Sequence, residues 1–505
     1  MTVPRRLTSS IAIPGIALLL TGCVSAEQAA LYADPNAGFS TVSATTSSLT
    51  KGKRSVWIQG QEDARENARS VHALIHKKTI SADTAVQVAL LNNRGLQAAY
   101  AELGLSAADA WQQTMLENPT VSIGILGVNA PGLGLFRAIE GMIANNLLSL
   151  ATQKRRVAMA DTRFRQAQLT AATETLSLAH ETRRAWIAAV SAFEQVGYLK
   201  KAQLSADASS ELAKRLGDTG ALPKAAQARE QAFYAELTGQ LAEAQLSARL
   251  AKEQLTRLMG VWGTEIEYFV PDRLPALPAK PLIKDRIEAD ALKQRVDLKA
   301  AKLNLEAVAQ SYGLTEVTRY VTDLELIVGF EAERESETEY ELHHGKLEES
   351  TSKSTFVTPQ FELEFAIPIF DSGKARMRKA ELAYMQAANQ LAERAINIRS
   401  EARSAYTAYR SNYDIALHYR NAVVPLRSKI EEESLLTYNG MITNTFELLA
   451  DSRAKLGAIL MASSAKREFW LAEADLTAAI IGGGSPSGGT TSTPAALADS
   501  GGAGH

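Results

Sequence analysis

Residues 360–373 read QFELEFAIPIFDSG. Phe361, Leu363 and Phe365 alternate with Gln360, Glu362 and Glu364, a strict period of two that gives a strand one apolar and one polar face. From Lys374 to about Leu436 the chain reads as uninterrupted helix. Upstream, Leu324, Leu326, Val328 and Phe330 alternate with Asp323 and Glu325, which predicts a partner strand near Val321–Phe330. The stretch between them, EAERESETEYELHHGKLEESTSKSTF (331–356), is charged and polar and reads as a long loop at the tip of a hairpin spanning about 321–368. Pro368 separates the hairpin from the helix.

This hairpin belongs to the second of two copies of one plan. Residues 89–99, ALLNNRGLQAA, align without gaps on 291–301, ALKQRVDLKAA, at an offset of 202. Further on, Ala160, Ala167, Glu181, Arg183, Ala185, Ala188 and Gly220 fall on Ala380, Ala387, Glu401, Arg403, Ala405, Ala408 and Gly440, and Trp186 falls on Tyr406, at an offset of 220. The growth in offset places an insertion in the second copy, at 331–356. Each copy reads helix, strand, turn, strand, long helix, tight turn, helix. The first covers 81–260: a helix at about 81–117 ended by Asn118-Pro119, then a hairpin at about 120–147. Its strand Thr120–Val128 is followed by the turn Asn129–Gly134 and a weaker strand at Phe136–Leu147. The second covers 285–482 and starts with a helix at about 285–318. Long helices at 153–216 and 374–436 would each span about 95 Å at 1.5 Å per residue. They return through turns at 217–223 and 437–443 into helices at about 224–260 and 444–480. Small apolar residues recur there at helical spacing, as in REQAFYAELTGQLAEAQLSARLAKEQL (229–255), which suits antiparallel coiled-coil packing. A Pro-rich linker occupies 261–284, and the Gly/Ser/Thr-rich tail at 483–505 reads as disordered.

The 505 residues carry a formal net charge of −2, which gives no reason to expect a nucleic-acid partner. No run of about 18 apolar residues predicts a spanning helix. The single cysteine ends an N-terminal pattern: Arg5-Arg6, an apolar run from Ile11 to Leu20, then Leu20-Thr21-Gly22-Cys23. That is a signal peptide over 1–22. Leu-Thr-Gly-Cys resembles the bacterial lipobox, which implies that Cys23 is acylated and heads an extension over 23–80. Acyl chains buried at about 0.8 kcal/mol per CH₂ would hold it on a membrane. Val24, not Asp, follows the cysteine, which by the same resemblance implies sorting to an outer membrane.

Two hairpins give four strands. A sheet in a bilayer must close on itself, because its edge N–H and C=O groups would otherwise face hydrocarbon. Four strands cannot enclose an interior; about eight is the practical minimum. Several chains must therefore pool strands, and three would supply twelve. Leu324, Leu326, Val328, Phe361, Leu363 and Phe365 would then face lipid, and Asp323, Glu325, Glu362 and Glu364 a watery lumen. The chain resembles the TolC family of outer-membrane efflux ducts, in its lipidated branch. The resemblance rests on the lipobox at Cys23, QRVDLKAA (294–301), AIPIFDSGKAR (366–376) and YNGMITNTFELLADSRAKL (438–456). It implies a mainly α fold with a small membrane β-barrel: a homotrimeric twelve-stranded barrel continued by a periplasmic α-helical barrel. It also implies a passive conduit, loaded by a periplasmic adaptor and an inner-membrane transporter of the resistance-nodulation-division or ABC type. The first copy departs from the pattern, with Leu147-Leu148-Ser149-Leu150 where the second has Ile367-Pro368-Ile369-Phe370.

Other residues invite readings. Lys154, Arg155 and Arg156, and Lys374, Arg376, Arg378 and Lys379, begin the two long helices, where cations are unfavourable. Lipid phosphates at the membrane rim or ion pairs would compensate. Gly220 and Gly440 are expected at the periplasmic tip, where the resemblance implies adaptor docking and glycine serves turn geometry. Glu447 and Asp451, one helical turn apart, are candidates for an acidic aperture ring or for plain surface carboxylates. His343-His344 lies near Glu341, Glu348 and Glu349, and His72 and His76 are spaced i, i+4, but neither pair shows a defined third ligand, so no metal or other cofactor is expected. No phosphate loop or nucleophile elbow marks an enzyme. The rival readings are a periplasmic adaptor lipoprotein, which usually has one hairpin and β-rich domains, and a structural coiled-coil envelope lipoprotein.

Overall fold

The computed structural model describes residues 26–128, 136–220, 222–343, 346–440, 442 and 445–484. Cys23 and the lipobox, the expected turn Asn129–Gly134, His344 and the tail beyond 484 lie outside the described residues. The elements in chain order are α1 (Ala26–Ala33), α2 (Phe39–Leu49), α3 (Gln61–Ile75), α4 (Ala82–Asn92), α5 (Arg94–Thr114), β1 (Thr120–Leu126), β2 (Ala138–Asn146), α6 (Leu147–Asp218), α7 (Lys224–Met259), α8 (Ile287–Gln294), α9 (Val296–Val317), β3 (Leu324–His343), β4 (Lys346–Phe365), α10 (Lys374–His418), α11 (Val424–Asn439) and α12 (Thr445–Ile481). They divide into two compact units. One takes the described residues of 1–38, 102–167 and 301–391, and the other those of 39–101, 168–300 and 392–505.

The first unit holds one antiparallel sheet in the order β1-β2-β3-β4. The polar stretch 331–356 is not a loop. β3 and β4 each run 20 residues, and their ladder continues to the pair His343↔Lys346. The reason is visible in the residues: glutamate recurs at every second position from Glu331 to Glu341, a strand period that high charge obscures. β2 ends its pairing at Ala138↔Glu333, so the outer part of the hairpin is a two-stranded ribbon. In the same unit α1 is fastened to α6: the Tyr32 hydroxyl donates to Asp161 Oδ1 at 2.8 Å, and its ring meets Phe164 edge-on at 5.4 Å.

The second unit is helical around a core that includes Val71, Ile75, Val88, Trp186, Leu255, Tyr268 and Ala474. The 23–80 extension thus contributes core residues, with Ile75 fully buried. The duplication persists in detail. The first helix of each copy breaks once, at Asn93 between α4 and α5 and at Arg295 between α8 and α9, both with ψ of 123°. These positions are related by the 202 offset. Asn93 Oδ1 accepts from the Leu96 N–H at 3.0 Å and so caps α5. Trp186 Nε1 donates to Ile80 O at 3.0 Å, while the Tyr406 hydroxyl accepts from the Lys284 N–H at 3.3 Å. Each aromatic tip binds the backbone just ahead of its copy's first helix. Arg183 pairs with Asp83 at 2.6 Å, and its counterpart Arg403 with Glu288 at 3.3 Å.

The second long helix is interrupted, contrary to expectation. A π-helical turn at Tyr419–Val423 separates α10 from α11, with the Val424 N–H bonded to Tyr419 O. Pro425 explains it. A proline has no N–H to give the carbonyl four residues back, and its ring crowds that carbonyl, so the preceding turn widens.

Candidate functional site

The register sorts the sheet into two faces. Leu324↔Phe365, Leu326↔Leu363 and Val328↔Phe361 are direct pairs, so these six residues share one face. Ile139 and Ile143 extend it on β2, opposite Ala332 and Val328, and Val121, Ile123 and Ile125 extend it on β1. Most of this face is open: Phe361 is 77% and Ile123 75% exposed. The reverse face carries Glu140, Glu331, Glu362 and the direct pair Glu325↔Glu364. Like charges directly opposite disfavour a ladder unless water screens them. Asp323 precedes β3 rather than lying within it.

The weak alternation of FRAIEGMIANNLL has a packing cause. Gly141 pairs with Phe330 and Met142 with Gly329. A Cβ on Gly141 would lie 3.0 Å from the Phe330 ring, and one on Gly329 would lie 3.0 Å from Met142 Cγ. Each glycine leaves a hollow that the large residue opposite occupies. Phe330 over Gly141 keeps the apolar face continuous where the β2 sequence is not, while Met142 over Gly329 does the same on the reverse face, two residues from Glu140 and Glu331.

β4 leads to α10 through the DSG corner of the opening stretch. Asp371 Oδ1 accepts from the Gly373 N–H at 2.8 Å. Gly373 has φ +71°, and a Cβ there would meet the Arg319 carbonyl oxygen at 2.8 Å. Arg319 Nε donates to Ser372 O at 3.2 Å, and Arg376 Nη2 to Arg319 O at 3.2 Å. In the first copy β2 passes straight into α6, with Asn146 Oδ1 accepting the Ser149 N–H at 2.8 Å. α6 therefore starts at Leu147, and Lys154, Arg155 and Arg156 do not begin it as expected. They lie about two turns in, beyond the reach of the terminal dipole. Arg155 reaches Gly313 O at 3.4 Å and Arg156 reaches Glu117 Oε1 at 3.1 Å. Lys374 does start α10, and Arg378 pairs with Glu381 at 2.7 Å.

At the helical turns, Gly220 has φ +75° and needs glycine's freedom, but Gly440 has φ −81° and does not. Asp451 accepts a hydrogen bond from the Ser434 hydroxyl across the α11–α12 hairpin, and Glu447 lies in the first turn of α12. Two charge clusters escaped the sequence reading. The Arg295 guanidinium, almost wholly buried, forks onto Asp297 at 2.7 and 3.0 Å and also meets Glu401, while Arg394 meets Asp297. Burial alone would raise the Asp297 pKa, but the Arg295 hydrogen bond and the two guanidinium charges outweigh it and hold the carboxyl below its ordinary value. Glu230 on α7 pairs with Arg453 on α12 at 3.2 Å, joining the two helical hairpins. Its pKa is raised by burial, against the charge of Arg453. The QRVDL element signalled the first cluster, whereas the partners Glu401 and Arg394 are distant in sequence. His72 gains a third neighbour that sequence did not offer: Glu265 Oε1 lies 2.6 Å from its Nδ1.

No protein-family model and no curated protein matches the sequence. Solved structures do. CusC, which forms a transmembrane channel, aligns over 80% of this chain and 92% of its own at 15% identity and a TM-score of 0.63. The Campylobacter jejuni outer-membrane channel CmeC aligns over 81% and 87% at 19% identity and 0.63. The outer-membrane channel OprN aligns over 86% and 95% at 18% identity and 0.62. The likeness covers at least four fifths of this chain, and the chain has the fold of the TolC-like outer-membrane channels.

Proposed function

We propose that the chain is the outer-membrane exit duct of a tripartite efflux pump or type I secretion machine, working as a homotrimer and conducting cargo without catalysis. The observation that carries this is the sheet: one face apolar and open, the other acidic, with β1 and β4 without a further strand partner among the described residues. Such a sheet is stable in a bilayer only when copies close it, and three copies give twelve strands. The apolar face would meet lipid and the carboxylates a cation-favouring lumen. Lys154 and the basic residues around Lys374 would lie near lipid phosphates at the periplasmic rim. The turns at Gly220 and Gly440 would form the tip that an adaptor engages beneath an inner-membrane transporter, with Glu447 and Asp451 near its aperture. Cys23 would be acylated and add an anchor to the barrel. The test is purification from the outer membrane in detergent: a trimer whose gel mobility changes on heating and which passes ions across a planar bilayer supports the duct, whereas a non-conducting monomer removes it. A Cys23→Ser chain should take up no labelled palmitate.

A further inference from the structure

The last turn of α3 carries His72, and His76 terminates the helix. Their rings stack, with centroids 4.3 Å apart and planes 19° from parallel. Beyond His76 the chain turns through Lys77, in the left-handed region at φ 52°, and runs beside residues 267–269. Lys77 N–H donates to Glu267 O at 2.7 Å, Phe269 N–H to Lys78 O at 2.9 Å, and Ile80 N–H to Phe269 O at 2.9 Å. This pairing brings the 3-10 turn Gly263–Ile266, and with it Glu265, against the histidines. One ligand atom from each of His72, His76 and Glu265 lies within 4.8 Å of the others. The hydrogen bond between His72 and Glu265 does not satisfy the group, because His76 Nδ1 and Glu265 Oε2 are buried without a partner. Buried polar atoms left unpaired are uncommon in folded proteins, and a bound ion is one explanation for them.

We propose that His72, His76 and Glu265 bind a first-row transition-metal dication of the zinc type, with water completing the coordination. Two imidazoles and a carboxylate suit zinc, copper, nickel or cobalt, whereas magnesium and calcium prefer oxygen donors. Ligands around a tetrahedral zinc at about 2.0–2.1 Å stand roughly 3.3 Å apart. Side-chain rotation can close the group to that spacing, since His72 is half-exposed. The ion would engage both orphaned atoms. It would also clip α3 to a turn that follows His72 by 193 residues. The site owes nothing to the membrane role and stands or falls separately from it.

The experiment uses the untagged full-length protein in detergent, freed of metal by chelator and titrated with Zn²⁺ and, in parallel, Co²⁺. The wild type should take up one equivalent per chain at the site and show the visible bands of four-coordinate cobalt. His76→Ala and Glu265→Gln should each weaken binding at least tenfold, and His72→Ala with His76→Ala should abolish it. Saturating zinc should raise the wild-type melting temperature and leave the double variant unmoved. If the double variant does not fold, zinc protection of wild-type His72 and His76 from carbethoxylation, read by mass spectrometry, decides the same question. No uptake by the wild type, no protection, or uptake and melting shift undiminished in the double variant would overturn the assignment.

Discussion

Gly329 has no room for a methyl group. A Cβ there would lie 2.6 Å from the Gly141 carbonyl oxygen, an atom fixed by the ladder. Gly329→Ala must therefore move the β2–β3 backbone, while at Gly141 the obstacle is a side chain, the Phe330 ring. Gly329→Ala should lower the temperature at which the assembled protein changes its gel mobility, and Gly141→Ala should lower it less; equal effects would contradict the paired hollows. A second prediction belongs to Asp297. Its folded pKa lies below the ordinary value, so its contribution is fully present above the unfolded pKa near 4 and is lost as pH falls through the lower folded value. Asp297→Asn leaves the buried Arg295 short of a charge partner and should cost on the order of 3 kcal/mol at neutral pH. Melting curves should show the gap between variant and wild type narrowing below about pH 4, the side on which the native carboxyl also becomes neutral. A gap that stayed constant down to acid unfolding would mean the cluster does not depend on that charge.

Among the elements, the β3–β4 ribbon separates into two parts with different work. Its inner part pairs with β2 as far as Ala138↔Glu333, and the Arg334 N–H still donates to Arg137 O at 2.8 Å; its outer part, from Glu335↔Ser354 to His343↔Lys346, pairs only within the hairpin. Replacing residues 335–354 by a two-residue Asn-Gly turn keeps every rung that touches the other hairpin. Such a chain should still assemble and conduct, and loss of the trimer would show that the outer ribbon takes part in closure. The ribbon also shows what the sequence made legible. Strand pairing was readable wherever apolar and polar residues alternate, as in Leu324–Phe330 and Phe361–Phe365, because burial of one face writes that period. In 331–356 neither face is apolar, so charge suggested a loop although the glutamates keep the period. The strand expected at Phe136–Leu147 is β2, Ala138–Asn146; its alternation alone was weak, since Phe330 from another strand fills the place of its missing apolar residue. Pro425 signalled the π turn within a helix that composition alone made continuous. Glu265 beside the histidines had no local signal, because 193 residues separate it from His72 and only the fold joins them.

At the scale of the whole molecule, neighbouring residues on β4 should report on opposite surroundings. Phe361 and Glu362 are adjacent in sequence, yet the pleat places Phe361 with Val328 on the apolar face and Glu362 with Ile327 on the acidic one. In a closed trimer a lysine at 361 would sit in hydrocarbon three times over, each copy costing about 2–4 kcal/mol near the midplane and less toward the interface. Phe361→Lys should therefore sharply reduce the yield of heat-modifiable trimer. Glu362→Lys meets water instead, so the trimer should form, and three reversed charges on the lumen wall should shift the reversal potential toward anions in a salt gradient. Joining it to Glu364→Lys should enlarge that shift, because residue 364 lies on the same face two positions on. The two readouts must part in this way for the closed barrel to hold. If Phe361→Lys assembled as well as Glu362→Lys, the apolar face would not be in lipid. If Glu362→Lys left the reversal potential unmoved, the acidic face would not line the path of the ions.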